Sequence, residues 1–313
     1  MSNLERDPQE SLCGGRAGVA AEPVRELLSG REVVLGGARG MRVTRTLPSR
    51  ERRMVGAWCF VDQFGPEDLT ASSGMRVPPH PHMGLQTVTW LVEGEVMHRD
   101  SLGSHQLIRP GQLNLMTAGE AISHSKETPP EHSPALHGVQ LWVALPERHR
   151  AVDPAFEHHA ELPTRADTGV TVTTLMGDFA GAVSPARIHS PLVGAEVAFA
   201  PGADTRLPLD PAMEYAVLAL SGEVEIEGVR LGRGPLLYLG RDRSDLAVSA
   251  GEAARVLFIG GEPFEEQIVM WWNFVGRSHE DIVRAREDWP SRPVGSPWNA
   301  GPRSPMAPQP TCR

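Results

Sequence analysis

Apolar and polar residues alternate in twos along much of this chain. Val88, Trp90 and Val92 alternate with Thr87, Thr89 and Leu91, and Leu141, Val143 and Leu145 repeat the pattern. Val224 and Ile226 stand between Glu223, Glu225 and Glu227. Successive side chains of a strand point to opposite faces, so each segment predicts a half-buried β-strand. Apolar runs of roughly four to eight residues recur between Gly and Pro punctuation, and helical periodicity is nearly absent. The body of the chain, about 31–290, therefore predicts an all-β fold. One helix is expected near its end, where Ser278 precedes Asp281 as in a capping box and Ile282, Ala285, Arg286 and Trp289 share a face before Pro290 stops it. Residues 1–30, polar with scattered Gly and Pro, and the Pro-rich 291–313 are expected to lack fixed structure.

The strand pattern contains a weak repeat. Leu91-Val92-Glu93-Gly94-Glu95-Val96 has a counterpart in Leu218-Ala219-Leu220-Ser221-Gly222-Glu223-Val224, and Arg109-Pro110-Gly111-Gln112-Leu113 has one in Arg233-Gly234-Pro235-Leu236-Leu237. The spacing from Gly94 to Gly222 is one domain's length, and 313 residues suffice for two domains, each with its own core.

Composition narrows the partners. Thirty basic against thirty-nine acidic residues give a net charge of -9, which argues against nucleic acid and anionic membranes and favours small molecules or proteins. Cys13, Cys59 and Cys312 show no C-x-x-C spacing, so no disulfide framework is expected. With no signal-peptide pattern and no run of about 18 apolar residues, a soluble protein of the reducing cytoplasm is expected.

Candidate chemistry concentrates in one place. His80 and His82 are two apart, so an extended strand points both imidazoles to one side. His124 lies on a later apolar segment and completes a plausible three-nitrogen shell for a metal. Two residues after His124, on the same face of a regular strand, stands Lys126, the only lysine in the chain. The repeat's second copy has no such histidines, so no metal is expected there. The other histidines, His98 and His137 among them, read as surface or hydrogen-bonded structural residues, and Trp271-Trp272 as packing.

The stretch His80-Pro-His82-Met-Gly-Leu-Gln-Thr-Val followed by Glu93-Gly-Glu-Val-Met-His98-Arg-Asp-Ser-Leu-Gly103 resembles the pirin family, a branch of the cupins. Arg109-Pro-Gly-Gln-Leu-Asn-Leu-Met-Thr-Ala-Gly119, Ile122-Ser-His124-Ser and His137-Gly-Val-Gln-Leu-Trp142 strengthen the likeness, and Gly260-Gly-Glu-Pro263 with Asn273-Phe-Val-Gly-Arg-Ser resembles the family's C-terminal signature. The resemblance implies a bicupin, two tandem jelly-roll-like β-barrels with few short helices. An N-terminal cupin with the metal site would span 31–150, a linker with connecting strands 151–186, and a metal-free C-terminal cupin 187–290. It further implies one metal, usually iron, so Fe(II) here, held by three histidines and a glutamate in an H-x-E arrangement. His80, His82 and His124 match the histidines, while the glutamate position falls on Lys126. Some bacterial members are similar in activity to quercetin dioxygenases, and animal members act as nuclear cofactors of transcription; fold alone does not choose between them.

The lysine sharpens the choice. A carboxylate beside the metal offsets charge and can take the flavonol proton, and a protonated amine does neither. Within about 5 Å of a dication it adds several kcal/mol of repulsion even at an effective dielectric near 20. Gln86 sits where many other cupins place a glutamate, and its amide oxygen is a weak substitute. Glu127 is the nearest carboxylate; a bulge at Ser125 or Lys126 would be needed to turn it inward as a substitute base. Lys126 as a Schiff-base amine has chemical precedent but no second feature in support. Two readings follow. One is a metal-dependent quercetinase acting on a small aromatic, flavonol-like substrate with the fourth ligand position impaired. The alternative is a non-catalytic, metal-poor bicupin that meets a regulatory protein partner through its surface.

Overall fold

A computed structural model describes residues 10–14, 24–35, 41–70, 72 and 74–291. Two barrels of the same plan follow one another. In the first, a seven-stranded sheet in the order Ala155–His159, Leu113–Thr117, Leu85–Glu93, Ala135–Ala144, Trp58–Asp68, Met41–Leu47, Arg31–Leu35 faces a four-stranded sheet in the order Arg76–His82, Ile122–Glu127, Val96–Asp100, His105–Ile108. In the second, the seven strands are Thr164–Asp167, Val170–Met176, Leu192–Phe199, Ala254–Gly261, Glu214–Ser221, Leu236–Gly240 and Glu26–Leu28, and the four are Ala203–Pro208, Asp245–Ala250, Val224–Ile226 and Val229–Leu231. Every ladder in these sheets is antiparallel. The all-β bicupin expectation holds, and the repeat is structural. Gly94 and Gly222 turn equivalent corners with φ of 85° and 67°. A Cβ on either would lie 2.4 Å from a backbone carbonyl oxygen, of Ala135 and of Ala253 respectively, so glycine is required at both.

The two seven-stranded sheets pack against each other. Trp58, Val88, Trp90, Leu113, Leu115, Val139 and Leu141 of the first meet Leu192, Ala216, Leu218, Leu257 and Ile259 of the second in one apolar layer. Val88 and Trp90 point into that layer, whereas Thr87 and Thr89 are buried on the opposite face. The strand expected to be half-buried is therefore covered on both sides, because its outer face meets a second domain rather than water. Val224–Ile226 keeps the expected pattern, with Glu225 exposed between buried neighbours.

The ends of the chain depart from expectation. Within 1–30, Ser11–Cys13 pairs with Ile268–Trp271, and Glu26–Leu28 joins the second barrel's sheet beside Leu236–Gly240. These short segments gain order from ladder bonds to residues more than 200 positions away, which local composition cannot reveal. In 151–186, Ala155–His159 completes the first sheet, and Thr164–Asp167 and Val170–Met176 begin the second. At the other end, the hairpin Ile268–Trp271/Phe274–Gly276 folds back on the first barrel, where Val275 N–H donates to the Met83 carbonyl at 2.9 Å. The following helix, His279–Ser291, starts as predicted, the Ser278 hydroxyl accepting the Asp281 N–H at 3.3 Å, and buries Ile282 and Ala285. It continues one residue past Pro290 rather than stopping before it. Of the Pro-rich 291–313, all but Ser291 lies outside the described residues. No helix among the described residues is long and apolar enough to cross a membrane.

Candidate metal centre

His80, His82 and His124 project into the first barrel from paired strands of its four-stranded sheet. The ladder sets His80 opposite His124 and His82 opposite Ile122, so the alternation that puts 80 and 82 on one face also aims them at 124. One candidate ligand atom from each lies within 4.8 Å of the others. The Nε2 atom of His124 is 3.1 Å from that of His82 and 3.0 Å from that of His80. All three rings are buried, and Trp142 packs edge-on to His82 with ring centroids 5.2 Å apart.

The protonation pattern of this trio suits a cation. His80 Nδ1 lies 2.8 Å from the Pro78 carbonyl, which can only accept, so His80 carries its proton on Nδ1 and turns the Nε2 lone pair inward. Burial pushes His80 down to about 3, the Pro78 hydrogen bond opposing it, and takes His82 and His124 well below the ordinary histidine range, with the neighbouring His80 adding to the effect. Three neutral rings with converging nitrogens at this spacing are a fitting donor set for a divalent metal such as iron, zinc or nickel.

Lys126 points into the same barrel. It is buried, and its Nζ donates to the Thr89 hydroxyl and the Gln140 side-chain carbonyl. Burial pushes the amine down to about 7. Glu127 does not take its place. The ladder between Arg76–His82 and Ile122–Glu127 is irregular between His124 and Lys126, where Pro78-Pro79 stand against Ser125, but the strand's alternation survives the irregularity. Glu127 is exposed and paired with Arg99 on the outside of the barrel, which corrects its reading as a substitute base. Gln86 also faces away: its Nε2 donates to the Thr117 hydroxyl at 2.9 Å and the Arg187 carbonyl at 3.1 Å, on the Val88 and Trp90 side of its strand.

Two nearby elements are not obvious from sequence. His98 and Asp100 stand opposite Lys126 and His124 on the neighbouring strand. His98 Nε2 is 3.0 Å from Asp100 Oδ2, its ring stacks on Phe156 with centroids 4.5 Å apart, and its centroid is 5.3 Å from that of His124. Burial lowers the His98 pKa, with Asp100 opposing; burial would raise Asp100, but hydrogen bonds from His98 and Ser104 hold it below the usual carboxylate range. The His-x-Asp alternation on a predicted strand was the available signal. The second element is Asn273, at the tip of the C-terminal hairpin, whose backbone partly offsets the depression of His82 basicity and whose buried side-chain amide has no partner.

Comparison with known proteins identifies the two barrels. The Pirin model matches residues 40–143 and the Pirin C-terminal cupin domain model residues 194–294. A Pseudomonas aeruginosa protein named "Putative quercetin 2,3-dioxygenase" is 47% identical over 268 residues, covering 86% of this chain and 84% of the relative. A crystal structure of quercetin 2,3-dioxygenase from Acinetobacter baumannii superposes with a TM-score of 0.83 at 42% identity, over 92% of this chain and 97% of that one. The bacterial pirin YhhW from Escherichia coli, solved in complex with nickel(II), shares the fold at a TM-score of 0.60 and 19% identity, over 77% of this chain and 100% of that one. With both barrels matched in order and the three histidines convergent in the first, the chain belongs to the pirin family.

Proposed function

We propose that the chain is a metal-dependent dioxygenase of the quercetin 2,3-dioxygenase type, acting in the cytoplasm on a small flavonol-like substrate with Fe(II) held by His80, His82 and His124. The observation that carries this reading is the convergence of three buried Nε2 atoms, one with its tautomer fixed by a backbone carbonyl. The substrate class comes from the relatives' names. Bound iron would supply a Lewis-acidic centre that binds the substrate oxygens and activates dioxygen.

The residues around it divide the remaining work. His80, His82 and His124 bring no negative charge, so the anion must come with the substrate or be made by removing its proton. Lys126 is directed at Thr89 and Gln140, to which its nitrogen donates. His98 is suited to taking that proton: with Nε2–H donated to Asp100, Nδ1 of the neutral ring is free to accept a proton beside the His124 ring. A second reading, a metal-poor bicupin serving as a regulatory or interaction module, draws on the amine at the family's carboxylate position. Iron-reconstituted wild type is expected to consume quercetin with dioxygen uptake, and His82→Ala to lose both iron and turnover. Stoichiometric iron without turnover of any flavonol would defeat the dioxygenase reading, and failure of the wild type to retain metal would favour the second.

A further inference from the structure

We infer that Lys126 is the donor half of a cross-barrel lock that positions His124 whether or not metal is bound. The acceptors are on the opposite sheet, Thr89 on Leu85–Glu93 and Gln140 on Ala135–Ala144, at paired positions of one ladder. Gln140 cannot turn its amide over. Its Nε2 donates to the Val88 carbonyl at 2.8 Å and the Leu141 carbonyl at 3.3 Å, so its Oε1 must face the barrel interior. The Thr89 hydroxyl donates to the same Oε1 at 3.1 Å, leaving its own oxygen to accept. Two acceptor oxygens thus face one buried point, and only a donor satisfies them. A lysine nitrogen does so in either protonation state, because the amine has two N–H groups and the ammonium three.

This polarity also disfavours a carboxylate at the same point. A glutamate at 126 would bring carboxylate oxygens against the Gln140 oxygen, and a modified lysine ending in a carboxylate would do the same. The lysine is therefore matched to its surroundings rather than being a lost ligand in an otherwise carboxylate-ready site. The strand that carries Lys126 also carries His124, two residues back on the same face, so tying Lys126 to the opposite sheet fixes the depth and direction of that imidazole. The second barrel supports the point. The ladders make Val217, Val248 and Phe258 the equivalents of Thr89, Lys126 and Gln140, and all three belong to its apolar core. The polar trio is present complete in one barrel and absent complete from the other.

The inference concerns the same site as the proposed function but is tested without metal or substrate, so the two can fail separately. In chelator-treated full-length protein at pH 9.5, Lys126→Met should lower the melting temperature by about 5 °C and split or broaden the His124 ring signals in NMR spectra at a temperature where the chain remains folded. Loss of stability with those signals left as one set would show a merely structural lysine and overturn the positioning of His124. The triple variant Lys126→Met, Thr89→Val, Gln140→Leu removes donor and acceptors together and should recover at least half of the lost melting temperature and a single set of His124 signals. A Lys126→Met protein with unchanged melting and unchanged His124 signals overturns the lock. So does a triple variant no more stable than the single one.

Discussion

The two barrels share one strand plan and differ in what fills it. Following the ladders from Gly94 and Gly222, His80, His82 and His124 correspond to Leu207, Leu209 and Leu246, and His98 corresponds to Ile226. Each of these counterparts is buried in an apolar core that also contains Val217, Val248 and Phe258. One barrel is closed by dispersion and apolar burial alone, and the other holds a connected set of donors and acceptors at the same positions. Polar groups out of water are costly unless each finds a partner, so such a set changes together or not at all. The fold therefore does not require a site; it tolerates one where the inward positions are jointly polar.

The largest expected effect comes from crossing the two chemistries. Val248→Lys would place an amine where no hydroxyl or amide waits, at a cost of about 3 kcal/mol or more; chemical denaturation measures it, and a loss as small as that of Lys126→Met would end the contrast. Next is metal retention. His124→Ala is expected to abolish binding of iron or cobalt measured per chain, while Leu246→Ala costs stability of about 2–5 kcal/mol and leaves metal content unchanged. Lys126→Glu is expected to bind no more metal than wild type, because Gln140 presents oxygen to it; metal appearing only in that variant would show that the carboxylate was the missing ligand after all.

A smaller effect is the pH dependence of stability. Burial lowers Lys126 from the ordinary 10.5 to about 7, so between these values the unfolded chain carries a proton that the folded chain does not. The contribution is fully present above 10.5 and is lost as the pH falls toward 7. Wild type should thus gain on Lys126→Met by up to about 1.4 kcal/mol per pH unit over that window, read from denaturation midpoints at pH 7.5 and 9.5; parallel curves would refute it. The smallest is Glu127→Gln, on the outside of the barrel, expected within about 0.5 kcal/mol of wild type with metal content unchanged.

Much of the site was legible because it is local in the right sense. A period of two makes His80 and His82 converge, and it also turns Lys126 to the side of His124 and Glu127 away from it. What escaped was the other half of each interaction. Thr89 and Gln140 lie 37 and 14 residues from Lys126, on strands whose register against it no pattern in the chain specifies. His98 and Asp100 had the right alternation, but only the ladder to Ile122–Glu127 shows that they stand beside the metal ligands. The burial of Thr87 and Thr89 depended on a sheet belonging to the other domain, and the strands within 1–30 depended on partners near the far end of the chain.

That exchange of ends bears on modularity. The Glu26–Leu28 strand completes the second barrel before the first has begun, and the hairpin after the second barrel supplies the Phe274 and Val275 contacts that close the first around Met83 and His82. Neither barrel can be excised as a self-sufficient cassette at the boundary between them. A cut there would strip each half of an edge or a cap, so recombination and truncation have to treat the pair as a single heritable unit.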